Sequence, residues 1–136
     1  MQFPTLILLL LTLTTSTSLA QERSTASYDT MYDNPNLPTD QTACSDGVNG
    51  LSKAHPTIGS IPRHPFVGAS PTIPGWNSPN CGKCYRLIYG GRAIIFKAID
   101  RGAKFVLSKQ AMDTLTGGMA ATLGTVSVES LEVSCT

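Results

Sequence analysis

The sequence predicts a mainly β domain, closed into a small barrel, held by disulfides and carrying one short helix. Three observations predict it. Apolar and polar residues alternate in stretches around a Gly-Gly turn and again near the C-terminus; four cysteines form an even set; and only one stretch combines helical spacing with capping residues at both ends. For a small β domain with long connections, closure into a barrel is the simplest way to leave no exposed strand edge.

By length the 136 residues make one domain. Leu6 to Leu13 (LILLLLTL) is apolar except for one threonine and too short to span a bilayer, and Thr14 to Ala20 (TTSTSLA) ends in a small-x-small cleavage pattern. Residues 1–20 are therefore expected to be a secretory signal cut after Ala20, with the free amino terminus supplying the positive charge that no nearby Lys or Arg provides. Residues 21–136 are the single mature domain. Elsewhere no apolar run approaches the roughly 20 residues that a spanning helix needs, so the secreted product is expected to be soluble. Lys plus Arg number 10 and Asp plus Glu 9, the bases scattered singly, which argues against nucleic acid and anionic membranes as partners.

Gln21 to Ala26 is polar and expected to fray, with the fold beginning near Ser27. In Ser27 to Asp40 (SYDTMYDNPNLPTD) two Tyr-Asp pairs precede Pro35 and Pro38, giving a short strand and then a long exposed turn. CSDGVNG, from Cys44, places two turn dipeptides, Asp46-Gly47 and Asn49-Gly50, around a single helical turn. Ile58 to Pro79 is a Pro/Gly corridor whose Ile61, Phe66, Val67, Ile73 and Trp76 mark it as a loop packed on a body, not a disordered linker.

Tyr85 to Asp100 reads as a hairpin: YRLIY, the turn Gly90-Gly91, then RAIIFKAID. The second arm is apolar at nearly every position from Ala93 to Ile99, as expected of a strand covered on both faces. Ser108 to Thr116 (SKQAMDTLT) has an N-cap residue, an apolar side made by Ala111, Met112 and Leu115, and Gly117-Gly118 as a stop, which makes a short helix. Thr125 to Cys135 (TVSVESLEVSC) alternates, with a phase shift near Ser130 that predicts a bulge.

Cys44, Cys81, Cys84 and Cys135 all lie in the mature part, where disulfides are the default in an oxidising compartment. One C-x-x-C with two distant cysteines is not zinc-ribbon spacing. A thioredoxin-like centre needs its first cysteine at a helix N-terminus, whereas Tyr85 onward reads as strand. Three pairings are open. A Cys81 to Cys84 bridge would constrain little of the unfolded chain, while the sequential pairing would close two long loops, each contributing roughly 4 kcal/mol on the chain-entropy model. CGKC then reads as two separate staples meeting at one point.

Catalytic chemistry finds few candidates. There is no G-x-S-x-G, His55 and His64 sit in proline-flanked loops, and the glycines around Gly117 lack the following Lys-Ser/Thr of a phosphate loop. A glycoside hydrolase needs two carboxylates. Asp100 ends an apolar strand at a barrel mouth, where it lines a groove or caps a turn; Asp33 and Asp46 are its candidate partners, each in a turn-prone sequence. Aromatic rings beside carboxylates or amides suit carbohydrate. Tyr28-Asp29, Tyr32-Asp33 and Trp76-Asn77 supply such pairs, although Trp76 is read first as a core anchor for the corridor.

The order SYDTMYD, CSDGVNGL, IPRHPFVGA, GWNSPNCGKCY, KAID and a terminal strand ending in Cys135 resembles the cerato-platanin family of small secreted fungal proteins. The resemblance covers almost all of Ser27 to Cys135. It implies a six-stranded double-psi β-barrel with one or two short helices, as in expansins and barwin-like proteins, and disulfides Cys44 to Cys81 and Cys84 to Cys135. It also implies a non-catalytic, wall-associated protein. No cofactor or metal is expected, and the product is expected to be a monomer, with self-assembly the alternative that the apolar corridor raises. Such a protein binds chitin or its N-acetylglucosamine oligomers, with cellulose as a further candidate, loosens polysaccharide without hydrolysis, and elicits plant defence through a host receptor. Tyr28, Asp33, Asp46, Asn77 and Asp100 are the carbohydrate-binding residues so implied. One departure is Arg101, where family members commonly have His; a cation there would favour the ionised form of Asp100. The alternatives to this reading are a weak glycan hydrolase using Asp100 with Asp33 or Asp46, and a surface-active coat protein motivated by the apolar corridor.

Overall fold

The hairpin forms as its sequence dictates. In the computed structural model, which describes residues 2, 10–14 and 21–136, strands Cys84–Tyr89 and Arg92–Arg101 pair antiparallel from Tyr89 opposite Arg92 to Cys84 opposite Lys97. Gly90 and Gly91 carry φ of 54° and 76°, the consecutive left-handed pair that a two-residue hairpin turn requires. The expected leader, residues 1–20, lies for the most part outside the described residues.

Numbered along the chain, the strands are β1 (Glu22–Tyr28), β2 (Val67–Ser70), β3 (Cys84–Tyr89), β4 (Arg92–Arg101), β5 (Phe105–Leu107) and β6 (Val126–Val133). They close a double-psi barrel in the order β1-β5-β2-β4-β3-β6. β1 with β5 and β2 with β4 are the parallel pairs, and the other neighbours run antiparallel. Two helices follow β5, α1 (Lys109–Thr116) and α2 (Ala120–Leu123). Ser108 caps α1, its hydroxyl accepting from the Ala111 N–H at 3.0 Å, and Gly117 ends it in the left-handed conformation.

Alternation along the strands sends one row of side chains inward. Leu87, Phe96, Phe105, Leu107 and Val128 fill the barrel with Met112 and Leu115 of α1, and Phe96 meets Phe105 edge-on at 5.7 Å. Full burial of each such side chain contributes about 1.5–3 kcal/mol. A second apolar cluster, Tyr32, Ile58, Ile61, Val67, Ala69 and Ile99, lies on the other side of β2 and β4 under the first part of the corridor. It explains the apolar run of β4. Ala98 and Ile99 are both buried because each faces one cluster, whereas Ala93, beyond the second cluster, is exposed.

Several expectations are corrected. The N-terminal segment does not fray at 21–26: β1 begins at Glu22, because β6 pairs with it from Glu22 opposite Ser130 to Ala26 opposite Val126. The corridor contains a strand, β2, all four of whose residues are buried between β4 and β5, so no alternation betrays it. CSDGVNG holds turns in place of a helical turn, closed by Leu51 N–H to Cys44 O at 2.9 Å and Ser52 N–H to Ser45 O at 3.0 Å. β6 has no bulge at Ser130; both its ladders run in register, Ser130 continues the inward row, and Leu131 and Val133 belong to the outer face. The register shift lies instead in β2 against β4, between Gly68 and Ala69.

The disulfides are Cys44–Cys81 and Cys84–Cys135. Cys84 opens β3 opposite Val133, two residues before Cys135, so the second staple ties the start of β3 to the end of β6. The first ties the turn-rich loop after Ala43 to the end of the corridor.

Candidate functional site

Asp100, near the end of β4, is the centre of a clamp. Its Oδ2 accepts the hydroxyl of Tyr32 at 2.7 Å, and its Oδ1 accepts the backbone N–H groups of Ala43 and of Arg101, each at 2.8 Å. Tyr32 sits in a single 3-10 turn, Thr30–Asp33, capped by Asp29, whose side chain accepts from the Met31 N–H at 2.8 Å. Burial, followed by the negative charge of Asp100 and the hydrogen bond to it, pushes the Tyr32 phenol far above its ordinary pKa, so the hydroxyl keeps its proton and remains the donor. Of about four acceptor positions on a carboxylate, three are used here, leaving one.

Ala43 passes the clamp on. Its N–H is held by Asp100, its carbonyl accepts the Asn77 N–H at 3.4 Å, and the next N–H, of Cys44, reaches the Ile99 carbonyl at 3.2 Å. Asn77 adopts φ 57°, a left-handed conformation that Asn tolerates better than most residues. Its side-chain Oδ1 accepts the Asn49 N–H at 2.9 Å, and its carbonyl accepts Asn49 Nδ2 at 3.0 Å. Gly47, at φ 87°, lies flat against this junction; a Cβ there would stand 2.6 Å from Asn77 Oδ1 and 3.0 Å from Trp76 Cζ2.

Trp76 is not the core anchor that the sequence favoured. Its side chain is 61 % exposed, and its indole N–H donates to Asp46 Oδ1 at 2.8 Å. The corridor is anchored three residues earlier by the fully buried Ile73. The indole N–H needs a partner that an apolar core would not supply, and Asp46 supplies it at the surface. Val48, 91 % exposed, lies in the same loop as Asp46.

The five sequence-derived binding residues therefore separate. Asp46 and Asn77 flank the Trp76 ring, and Asp100 lies behind them, joined through Ala43. Asp33 is elsewhere: its Oδ2 accepts the Lys109 N–H at 2.8 Å and its Oδ1 the Gln110 N–H at 3.0 Å, satisfying two donors at the start of α1. Tyr28 ends β1, half-buried against the barrel core and beside Lys109. Arg101 is exposed and reaches Asp100 through its backbone N–H; the ion pairs among the described residues are Lys83–Glu132 and Lys109–Asp113, so the Arg101 guanidinium forms none with Asp100.

Sequence reasoning missed Tyr32 as the buried partner of Asp100, and it missed His64, whose Nε2 lies 3.0 Å from the Tyr32 carbonyl and steadies the same turn. The repeated Tyr-Asp pair was the available signal. It placed Tyr32 next to a carboxylate in the chain, but the carboxylate that matters to it is 68 residues away.

Fold and site together define a small, doubly stapled β-barrel that displays an aromatic ring on one rim and spends its nearby carboxylates largely on its own chain. The sequence model of the cerato-platanin family matches residues 24–136, and the chain belongs to that family. It is 47 % identical over 125 residues to the heat-stable 19 kDa antigen of Coccidioides posadasii, covering 89 % of this chain and 84 % of the antigen. It is 38 % identical over 97 residues to cerato-platanin of Ceratocystis fimbriata f. sp. platani, covering 70 % and 72 % of the two chains. Among solved structures, cerato-platanin 2 from M. perniciosa superposes with a TM-score of 0.80 at 42 % identity over 83 % of this chain and 95 % of that one. The solution structure of the fungal elicitor cerato-platanin gives 0.73 at 35 % identity, over 81 % and 92 %. These relatives are fungal, as the resemblance implied.

Proposed function

We propose that this protein is a secreted, non-catalytic carbohydrate-binding barrel that takes chitin-type N-acetylglucosamine oligomers, loosens polysaccharide without hydrolysis as expansin-like barrels do, and acts as an elicitor of plant defence. The observation that carries the reading is Trp76: an exposed ring whose edge is fixed by Asp46 and whose base is fixed by Asn77. A ring so held offers a flat apolar face to the C–H face of a sugar, while the free acceptor positions on Asp46 and on Asp100 suit sugar hydroxyls. Pre-fixing the ring lowers the ordering cost of binding. In this scheme Asp100 works mainly by holding Ala43, and through it the Trp76 wall; Tyr28 and Asp33 serve at the margin near α1.

Hydrolysis has less support. A glycosidase needs a protonated acid and an ionised partner on either side of the bond. Asp33 accepts two backbone N–H groups and Asp100 accepts three donors, so both carboxylates are largely occupied by the protein's own chain. The coat-protein alternative drew on the apolar corridor, yet its Ile61, Val67 and Ile73 are buried. Secretion is supported by two disulfides, which persist in oxidising compartments. The elicitor role is carried over from the solved fungal elicitor that this chain resembles.

The test is a binding titration of the mature protein with N-acetylglucosamine tetramer, chitin and cellulose, with a reducing-end assay alongside. Binding that Trp76→Ala abolishes while the melting curve is unchanged, with no new reducing ends, is the expected result. Absence of affinity for all three ligands, or release of reducing ends, would overturn the proposal.

A further inference from the structure

Strand alternation produces a second, unassigned feature at the end of the barrel where β1 begins and β6 ends. The inward row of β1 runs Ala26, Ser24, Glu22, and that of β6 runs Val126, Val128, Ser130, Glu132, each passing from apolar to hydroxyl to carboxylate as it leaves the core. The two rows are side by side, since Glu22 pairs with Ser130 and Ser24 with Val128. β3 adds Tyr85 opposite Glu132. Together with Thr72 of the corridor and Asn80 just beyond it, these residues line a cavity of about 260 Å3, and none of the five residues read from the sequence as sugar ligands takes part in it.

The inner polar groups of this cavity have unused capacity. Tyr85 is 5 % exposed and donates its hydroxyl to Thr72 Oγ1 at 2.8 Å, which leaves its own lone pairs free. Ser130 is 9 % exposed, and among the described residues its hydroxyl bonds the Glu22 carbonyl alone, at 3.4 Å, beyond the usual 2.5–3.0 Å of an O–H···O bond. Asn80 is held in place by its Nδ2 donating to the Thr72 carbonyl at 2.7 Å, so its Oδ1 remains free to accept. A nine-tenths-buried hydroxyl on a cavity wall, held by one long bond as donor and with its acceptor capacity unspent, is a place that a ligand's polar atom would complete.

We propose that this barrel mouth is a sugar subsite for an amine-bearing hexose, such as the glucosamine unit of a de-N-acetylated chitin chain, with Glu22 and Glu132 receiving the ammonium. Among the described residues the lining contains two carboxylates and no base. Lys83 meets Glu132 at 3.3 Å, but both side chains are largely exposed, so a ligand ammonium displaces a weak surface pair. Ser130, Tyr85 and Asn80 line the wall where ring hydroxyls would meet them. Barrel mouths lined by a few convergent polar groups are favoured sites for small ligands. The inference rests on the carbohydrate reading above in the choice of polymer, but uses different residues.

The experiment titrates wild type, the Glu22→Gln/Glu132→Gln double variant, Ser130→Ala and Trp76→Ala with glucosamine tetramer and, separately, with N-acetylglucosamine tetramer. Melting curves check each fold. Glucosamine tetramer should bind wild type, lose roughly tenfold or more in the double variant and a smaller factor in Ser130→Ala, and be unaffected by Trp76→Ala. The N-acetylated tetramer should show the reverse dependence. No glucosamine binding to wild type, no loss in the folded double variant, or equal loss in Trp76→Ala overturns the proposal, as does equal binding of spermidine, which would show that charge alone is read. Glu-dependent glucosamine binding without any N-acetylglucosamine binding would overturn the Trp76 reading and leave this one standing.

Discussion

The hydroxyl of Tyr32 lies 2.7 Å from Oδ2 of Asp100, and this bond joins the N-terminal 3-10 turn to the far end of β4 across 68 residues of chain. It is a charge-assisted bond to a buried phenol, made on the one oxygen of Asp100 that no backbone group uses. The second apolar cluster closes around it, with Tyr32 itself a member.

Tyr32→Phe removes only the hydroxyl and should cost about 1.5–3 kcal/mol in urea unfolding, the usual worth of a hydrogen bond to a charged group. Asp100→Ala should cost more, because it also orphans the Ala43 N–H and leaves the Tyr32 hydroxyl buried without a partner. Asp100→Asn, which keeps one oxygen for the two backbone donors, should fall between wild type and Asp100→Ala. Wild-type stability in all three variants would show that the clamp contributes nothing.

Trp76 is the chain's one tryptophan, so fluorescence excited at wavelengths that tyrosine does not absorb reports this ring alone. Gly47→Ala should disturb it, since the added methyl meets Asn77 and Trp76 at a φ that L side chains rarely adopt. The expected result is a loss of about 1–3 kcal/mol, a shifted emission maximum and weaker N-acetylglucosamine binding. Asp46→Asn keeps an acceptor for the indole N–H and should change emission much less than Asp46→Ala does.

Asp33→Ala uncovers the Lys109 and Gln110 N–H groups at the start of α1 and should lower stability by about 1 kcal/mol, as loss of a helix cap does. Thermal melts measure this. A parallel loss of sugar affinity would assign Asp33 a binding role beside its capping one.

Lys109 and Asp113 form an i to i+4 pair at 2.8 Å, and Asp113 also accepts the Ala120 N–H at 3.0 Å, linking α1 to α2. The hydrogen bond from Lys109, then that from Ala120, holds the Asp113 carboxyl below its ordinary 3.8, and the same pairing raises Lys109 above 10.5. A depressed carboxyl stabilises the fold above its unfolded pKa and loses that contribution as pH falls through the folded value; a raised lysine stabilises below 10.5 and loses it as pH climbs past the folded value. The destabilisation caused by Asp113→Asn should therefore be present at pH 7 and shrink at pH values below about 3.8. Because the pair is exposed, added salt should also shrink it.

Both disulfides close long loops, with sequence separations of 37 and 51 residues. Removing either as a double Cys→Ala variant should cost about 4 kcal/mol on the chain-entropy model. Thiol labelling of the unreduced protein should find no free sulfhydryl, and peptide mapping should join Cys44 to Cys81 and Cys84 to Cys135.

What could be read from the chain alone was whatever is set within a few residues. The β3–β4 hairpin followed from alternation around Gly90-Gly91, α1 from its capped amphipathic stretch, and the structural role of the cysteines from their number and spacing. The barrel's strand count and the disulfide pairing came from the family resemblance, and the structure agrees with both. The corridor strand β2 is hidden because burial on every side erases periodicity, and the polar pattern of β1 reads as loose because what orders it is pairing with β5 and β6, distant in the chain. The site was less legible still. Asp33 finds its donors 76 residues away, Trp76 finds Asp46 at 30, and Asp100 finds Ala43 at 57. Side-chain pattern records which face a residue prefers, but a hydrogen-bond partner at that distance exists only once the barrel has closed and brought the loops between its strands to one end.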